Sequence, residues 1–274
     1  MVLLLVKRKQ ISLTDKIGKQ IYERVMARDS ALGGIVLETL GVQGSGKTSL
    51  LLSIAEQIMS TYPKELIFWR DSFYTQCQFN RVEKWQIYIE KGVEIEFRDI
   101  DLGKTVSLPV TFFDDFDELI SLAKPQQLNV IYFENNIKYV DFIKYLRLHP
   151  GFQSLFIDEY EDIAPLRCRG EQWKKNEEFS QEMKHIRRGL VNLFCDTQNS
   201  SDVDWRVRSK IMCHVYLYGS KVDHLSPVDQ AGVNALDVGE ILIDYGHALF
   251  GKGSFNAYPP RKPILECYNI NNGY

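Results

Sequence analysis

The sequence predicts an α/β fold, a mostly parallel sheet covered by helices on both faces. Three observations carry that expectation. Apolar runs of strand length alternate with segments of helical periodicity along most of the chain. One such run, Ile35–Leu40, leads into the glycine-rich octet GVQGSGKT at 41–48, and a helix-like segment follows at once. Another, Phe152–Ile157, ends in two acids, Asp158 and Glu159.

The elements follow in order. The N-terminal run Met1–Val6 is shorter than a secretory apolar region, which needs about 7–15 residues with its charges in front, and far shorter than a membrane span of roughly 18–20. It reads as an edge strand before a basic turn. Ile17–Arg28 carries apolar residues at 17, 21, 22, 25 and 26, which is helical spacing. A helix over Lys47–Ser60 stops before Pro63, and Glu65–Trp69 is a second strand. Between 83 and 101 the pattern changes. Trp85, Ile87 and Ile89 alternate with polar residues, Lys91-Gly92 intervenes, and Val93, Ile95 and Phe97 alternate again. That predicts a β-hairpin insertion with one buried and one acidic face. Strands at Asn129–Phe133 and Phe152–Ile157 flank a helix at Val140–Leu148. Phe179–Arg188 reads as a helix, and Leu190–Cys195 and Ile211–Tyr218 as strands. From Glu240–Phe250 onward the chain looks like short strands and turns, with Pro259, Pro260 and Pro263 ending regular structure. The 274 residues are read as a single domain, with a core over about 17–222, the hairpin insertion at 83–101 and a β-rich C-terminal extension over 223–274.

Composition narrows the possibilities. The chain is 45% hydrophobic and 25% charged, which is ordinary for a globular protein. A net charge of −3 excludes a polybasic nucleic-acid binder, so any such contact must be local. Five scattered cysteines without C-x-x-C spacing argue against a disulfide framework or a zinc site and favour a reducing compartment. With no membrane-spanning run visible, the expectation is a cytoplasmic protein without membrane insertion.

The octet matches G-x-x-x-x-G-K-[ST] in full, in the right context of strand before and helix after. Gly41, Gly44 and Gly46 let the backbone curl so that successive N–H groups face a phosphate, and the helix N-terminus adds its dipole. Val42, Gln43, Ser45 and Ser49 complete the expected ATP cradle. Lys47 is placed for the β- and γ-phosphates, and the Thr48 hydroxyl for Mg²⁺. That ion needs a second anchor, which Asp158 supplies at the C-terminal edge of an apolar strand. Glu159, next along, can act as general base toward an attacking water. Together these parts imply a RecA-like P-loop NTPase core.

Residues 184–209 read KHIRRGLVNLFCDTQNSSDVDWRVRS. A helix ends in two arginines, and a strand then closes on Thr197-Gln198 before a polar loop. With the phosphate loop and the Asp-Glu strand, this resembles the FtsK/HerA superfamily of DNA-pumping ATPases. The resemblance implies an ATP-hydrolysing motor that translocates or packages double-stranded DNA for a virus or a plasmid. It also implies a homo-oligomeric, hexameric ring and a capsid or assembly partner. Carried over by residue, Gln198 becomes the γ-phosphate sensor, and Arg187 or Arg188 completes a neighbouring subunit's site, with Arg206 and Arg208 as rivals. Asn199-Ser200 stands where the family often has arginine and proline, which sets this chain apart from the cellular chromosome-pumping branch. Residues 70–128 and the last fifty are unmatched. The stretch Arg167–Arg188 holds seven Lys/Arg against four Glu, with Trp173 and Phe179 among them. It fits either a DNA-backbone contact or a solvated charged helix. Two other functions stay open: a zonula-occludens-toxin-like phage assembly ATPase, a group that normally carries a membrane segment, and a nucleotide-dependent regulatory switch without motor activity. Glu159 and the paired arginines argue against the switch.

Overall fold

The computed structural model describes residues 11–222, 226–246, 249–256 and 263–270. The run Met1–Val6, Pro259 and Pro260 lie outside the described residues. In chain order the strands are β1 (Ser12–Leu13), β2 (Val36–Leu40), β3 (Leu66–Arg70), β4 (Trp85–Glu90), β5 (Ile95–Asp99), β6 (Lys104–Val106), β7 (Val110–Phe113), β8 (Leu128–Tyr132), β9 (Gln153–Ile157), β10 (Val191–Thr197), β11 (Cys213–Tyr216), β12 (Glu240–Tyr245), β13 (Leu249–Ser254) and β14 (Leu265–Asn269). The helices are α1 (Lys16–Met26), α2 (Lys47–Thr61), α3 (Phe116–Leu122), α4 (Ile137–Leu148), α5 (Gly170–His185), α6 (Trp205–Arg208) and α7 (Gln230–Asn234).

Eleven strands form one sheet in the order β1-β13-β12-β11-β2-β10-β9-β3-β8-β4-β7. From β11 to β7 every pairing is parallel, and β12, β13 and β1 extend the sheet antiparallel. Central strands such as β2, β8 and β10 are buried along their whole length, as a parallel sheet covered on both faces requires. Side-chain alternation divides the core accordingly. Trp69, Phe156 and Phe194 face α1, α2 and the small sheet, whereas Phe68, Leu155, Ile157 and Leu193 face α3, α4 and α5. Under α2 the rings of Trp69, Phe156 and Phe194 stack in series, with centroids 5.7 Å and 4.6 Å apart.

Local chemistry explains the helices that frame the site. The Asp15 carboxylate accepts from Gly18 N at 2.6 Å and caps α1, whose residues Ile21, Val25 and Met26 go into the core. Ile17 stays 40% exposed, so the buried stripe is narrower than the spacing predicts. The expected helix over Phe179–Arg188 starts nine residues earlier, at Gly170, and its last turn tightens to a 3-10 turn over Ile186–Gly189.

The hairpin expected at 83–101 does not form. Gly92 does adopt a left-handed turn, with φ 90°. However, β4 lies inside the main sheet between β8 and β7, and β5 joins a separate antiparallel sheet, β14-β5-β6. The reason is burial. Ile87, Tyr88 and Ile89 are all buried, so β4 has two covered faces and both of its edges are taken by parallel neighbours. The small sheet packs β5 through Phe97 against the α2 face of the core, and β14 closes it from the C-terminal part.

Candidate active site

The parallel strands deliver their C-terminal ends to one edge of the sheet, which is where an α/β sheet binds ligands. β2 ends at Leu40 and runs directly into the glycine-rich loop, and α2 begins at Lys47. In register, Thr197 stands beside Leu40 and Cys195 beside Ile157. The loop, the acidic pair and the Thr197-Gln198 exit therefore meet in one cavity of 720 Å³. Gln43, Gly44, Gly46, Lys47, Thr48 and Ser49 line it together with Asp158, Glu159, Asp196 and Gln198.

Two glycines are required by the loop's geometry. Gly46 sits at φ 98° as the residue before α2, and a Cβ there would meet the Phe255 ring at 2.9 Å. A Cβ on Gly41 would lie 2.3 Å from Ser45 Oγ. That hydroxyl is itself buried and has no hydrogen-bond partner among the described residues, which suits a cradle that takes a polar ligand. Lys47 Nζ turns back to donate to Gly41 O at 3.0 Å and Val42 O at 3.5 Å.

Beside the loop, negative charge is crowded. Thr48 Oγ1 stands 3.2 Å from Asp158 Oδ1 and 3.4 Å from Asp196 Oδ2. Burial, with Asp196 and Glu159 nearby, holds the Asp158 carboxyl well above the usual carboxylate range. Burial pushes Asp196 up to about 6, although Lys47 and the Glu159 amide oppose the shift. Oxygen donors crowded this way fit Mg²⁺, which takes few protein ligands and keeps waters and phosphate oxygens. Among the described residues no three His, Cys, Asp or Glu side chains are arranged to hold a metal alone.

Glu159 leaves β9 in the left-handed region, φ 52° and ψ 61°, and its N–H donates to Asp196 Oδ1 at 2.7 Å. The turn brings its carboxylate to the cavity, where Gln198 Nε2 approaches Glu159 Oε1 at 3.5 Å. The candidate base and the candidate sensor are thus neighbours.

The arginines are elsewhere. Arg187 and Arg188 are exposed just before β10, at the strand end opposite Gln198, and neither lines the cavity. Arg187 donates to Leu32 O at 3.2 Å. Arg206 pairs with Asp204 at 2.6 Å and lies 4.4 Å over the Trp173 ring, and Arg208 donates to Ser200 O at 3.1 Å. Of the basic stretch's aromatics, Trp173 is half exposed, but Phe179 is fully buried in the core.

Sequence reasoning passed over three polar residues here. Asp196 is the penultimate residue of β10, an acid near the end of an apolar strand much as Asp158 follows β9. Arg70 ends β3, one residue beyond the predicted strand. It is buried, donates to the Asp158 carbonyl, and pairs with Asp162 at 2.9 Å. Asp71 follows, buried, accepting from Trp69 Nε1 and from Gln78 N at 3.0 Å. Burial and the neighbouring Asp158 push its carboxyl up to about 8.

No family model matches the sequence, and no curated protein matches it. Solved structures do. The genome packaging NTPase B204 from Sulfolobus turreted icosahedral virus 2, in complex with ATP-gammaS, aligns with a TM-score of 0.53 at 14% identity, over 82% of this chain and 98% of that one. Its complex with AMPPCP aligns with a TM-score of 0.56 at 13% identity, over 81% and 98%. B204, the DNA-packaging ATPase from Sulfolobus Turreted Icosahedral Virus, gives 0.53 at 13% identity over the same shares. Identities this low speak of architecture alone, and in architecture the chain shares the α/β fold of these packaging NTPases.

Proposed function

We propose that the chain is an ATP-hydrolysing motor that translocates or packages double-stranded DNA for a virus or a plasmid. It would act as a homo-oligomeric ring, a hexamer by family resemblance, in the host cytoplasm with a capsid or assembly partner. The observation that supports the reading is convergence: Lys47, Thr48, Asp158, Asp196, Glu159 and Gln198 meet in one cavity, in a chain with the fold of a viral packaging NTPase. Among the described residues no helix is long and apolar enough to cross a membrane.

The chemistry follows from the positions. The amides of residues 41–49 hold the phosphates, and the Lys47 ammonium exchanges its loop carbonyls for β- and γ-phosphate oxygens. Mg²⁺, held by Thr48 and through water by Asp158, would supply positive charge to those oxygens. Glu159 takes a proton from the attacking water as its oxygen bonds to the γ-phosphorus and the bond to the β-phosphate oxygen breaks, releasing ADP and phosphate. Gln198, within reach of Glu159, can both donate and accept and so orients that water. Arg187 or Arg188 would serve a neighbour's cavity, since both are exposed and remote from their own.

The test is the ATPase rate with and without double-stranded DNA, measured alongside native mass. A motor hydrolyses ATP faster with DNA and assembles into a ring. Hydrolysis indifferent to DNA would favour the assembly-ATPase reading. Nucleotide binding without turnover would favour the switch.

A further inference from the structure

One wall of the cavity is built by the segment that leaves β3 and was unmatched in sequence. Residues 72–81 are pinned from several sides. Tyr74 N donates to Cys267 O at 2.8 Å, Cys77 N to Leu265 O at 2.7 Å, and Gln76 bridges Glu266, so β14 serves as a backing strip. Asp71 holds the Gln78 amide. The segment ends in a 3-10 turn, Phe79–Arg81, seated on the fully buried Phe79, whose ring packs 4.9 Å from Trp85. That turn carries Arg81 into the cavity. Arg81 Nη1 donates to Gln78 Oε1 at 3.0 Å, and Nη2 donates to Ser49 Oγ at 2.9 Å.

Its position around α2 is informative. Thr48, the metal-side residue, faces Asp158 and Asp196. Ser49 is the next residue, turned about 100° around the helix. Arg81 therefore stands on a different flank from the carboxylates, beside the first turn of a helix whose N-terminus cradles phosphate. A guanidinium set against Ser49, facing a phosphate cradle away from the metal, fits a phosphate oxygen at the nucleoside end of the chain.

We propose that Arg81 binds the α-phosphate, so that this chain grips its nucleotide with two cations, Lys47 toward the γ end and Arg81 toward the nucleoside end. The inference rests on the nucleotide reading above. Because a cis α-phosphate contact is common to mono-, di- and triphosphates, it predicts a characteristic pattern of loss.

The experiment is isothermal titration of the full chain with ATP, ADP and AMP in EDTA, so that neither metal nor turnover enters the readout. Arg81→Ala should weaken all three by a similar factor, about 10- to 100-fold for a lost charge-assisted contact. Arg81→Lys should recover part of it. If Arg81→Ala proves poorly folded by circular dichroism, Arg81→Gln carries the same test, since it keeps a donor for Ser49 without the charge. Unchanged ADP and AMP affinity, or a loss confined to ATP, overturns the assignment. Lys47→Ala, run in parallel, separates the two readings. If only Lys47→Ala loses affinity, the Arg81 assignment alone fails, and if neither variant does, the phosphate-loop reading fails with it.

Discussion

Glu159 and Asp196 share a hydrogen bond but should fail differently when changed. Glu159→Gln removes the acceptor of the water's proton and leaves the loop, the metal side and Asp196 in place. Hydrolysis should fall by at least about 10²-fold while ATP affinity holds, as single-turnover kinetics and titration would show. Asp196→Asn keeps the hydrogen bond to the Glu159 amide but removes a charge beside Thr48 and Asp158. It should raise the Mg²⁺ concentration needed for half-maximal rate. A rate loss that excess Mg²⁺ does not repair would place Asp196 in the chemistry instead. Asp71 predicts a pH effect. Its carboxyl is raised to about 8 in the folded chain against about 4 when unfolded, so the folded state binds the extra proton between those values. Stability should therefore fall as pH rises from about 4 toward 8, by up to about 1.4 kcal/mol per unit, and Asp71→Asn should flatten that slope in urea titrations. At this scale the sequence was readable where a motif fixes a residue's place, as for Lys47, Thr48 and Asp158, which line one cavity. It was unreadable where a role depends on which strand end lies next to which. Asp196 and Arg70 became site residues only through the register of β2, β10, β9 and β3.

Elements were legible when their burial matched their periodicity. The octet set β2 and α2 in sequence almost to the residue, and the apolar runs located β3, β8, β9 and β10. β4 misled because its alternation suggested one solvated face, whereas Tyr88 is buried and its hydroxyl donates to Leu122 O at 2.9 Å. A polar atom with a buried partner looks the same in sequence as one in water. Around the site, the rigid part is the ring stack beneath α2. Phe156 sits between Trp69 and Phe194, fully buried, and one residue before the strand's last apolar position. Phe156→Ala should cost about 3–5 kcal/mol in chemical denaturation. It should also reduce turnover in the protein that remains folded, because β9 carries Asp158 and Glu159. A change below about 1 kcal/mol would mean that α2 settles into the space and that the stack is not what seats the strand.

Across the whole molecule, both candidate finger arginines lie at the sheet edge opposite the cavity. A cis role is geometrically remote, so any catalytic part they play is in trans, and the concentration dependence of activity reads it. A trans arginine is worth about 10³-fold or more in phosphoryl transfer, because it meets charge that grows in the transition state. Subunits lacking Arg187 and Arg188 should be inactive alone and regain activity when mixed with Glu159→Gln subunits, whose arginines complete a site that still has its base. If the double-arginine variant hydrolyses ATP normally, or mixing restores nothing, the finger is not this pair, and Arg206 and Arg208 become the variants to mix. Residues 72–81, backed by β14, form one wall of the cavity, and both come from regions without a sequence match. Their role was invisible in sequence because it arises from a pairing across nearly two hundred residues, Gln76 with Glu266.

The left-handed backbone at Glu159 has a consequence for how such a position is maintained over generations. A non-glycine residue at φ 52° costs of order 1 kcal/mol relative to glycine there. Selection for stability alone would thus favour glycine at 159, and selection for turnover opposes it. Glu159→Gly should melt a few degrees higher than the parent in calorimetry and hydrolyse essentially nothing. A variant library screened only for thermal tolerance should drift toward that dead sequence, while one screened for ATP turnover should hold glutamate despite its strain. Lower melting in Glu159→Gly would mean that the Glu159 side chain contributes more to the fold than its backbone angle costs.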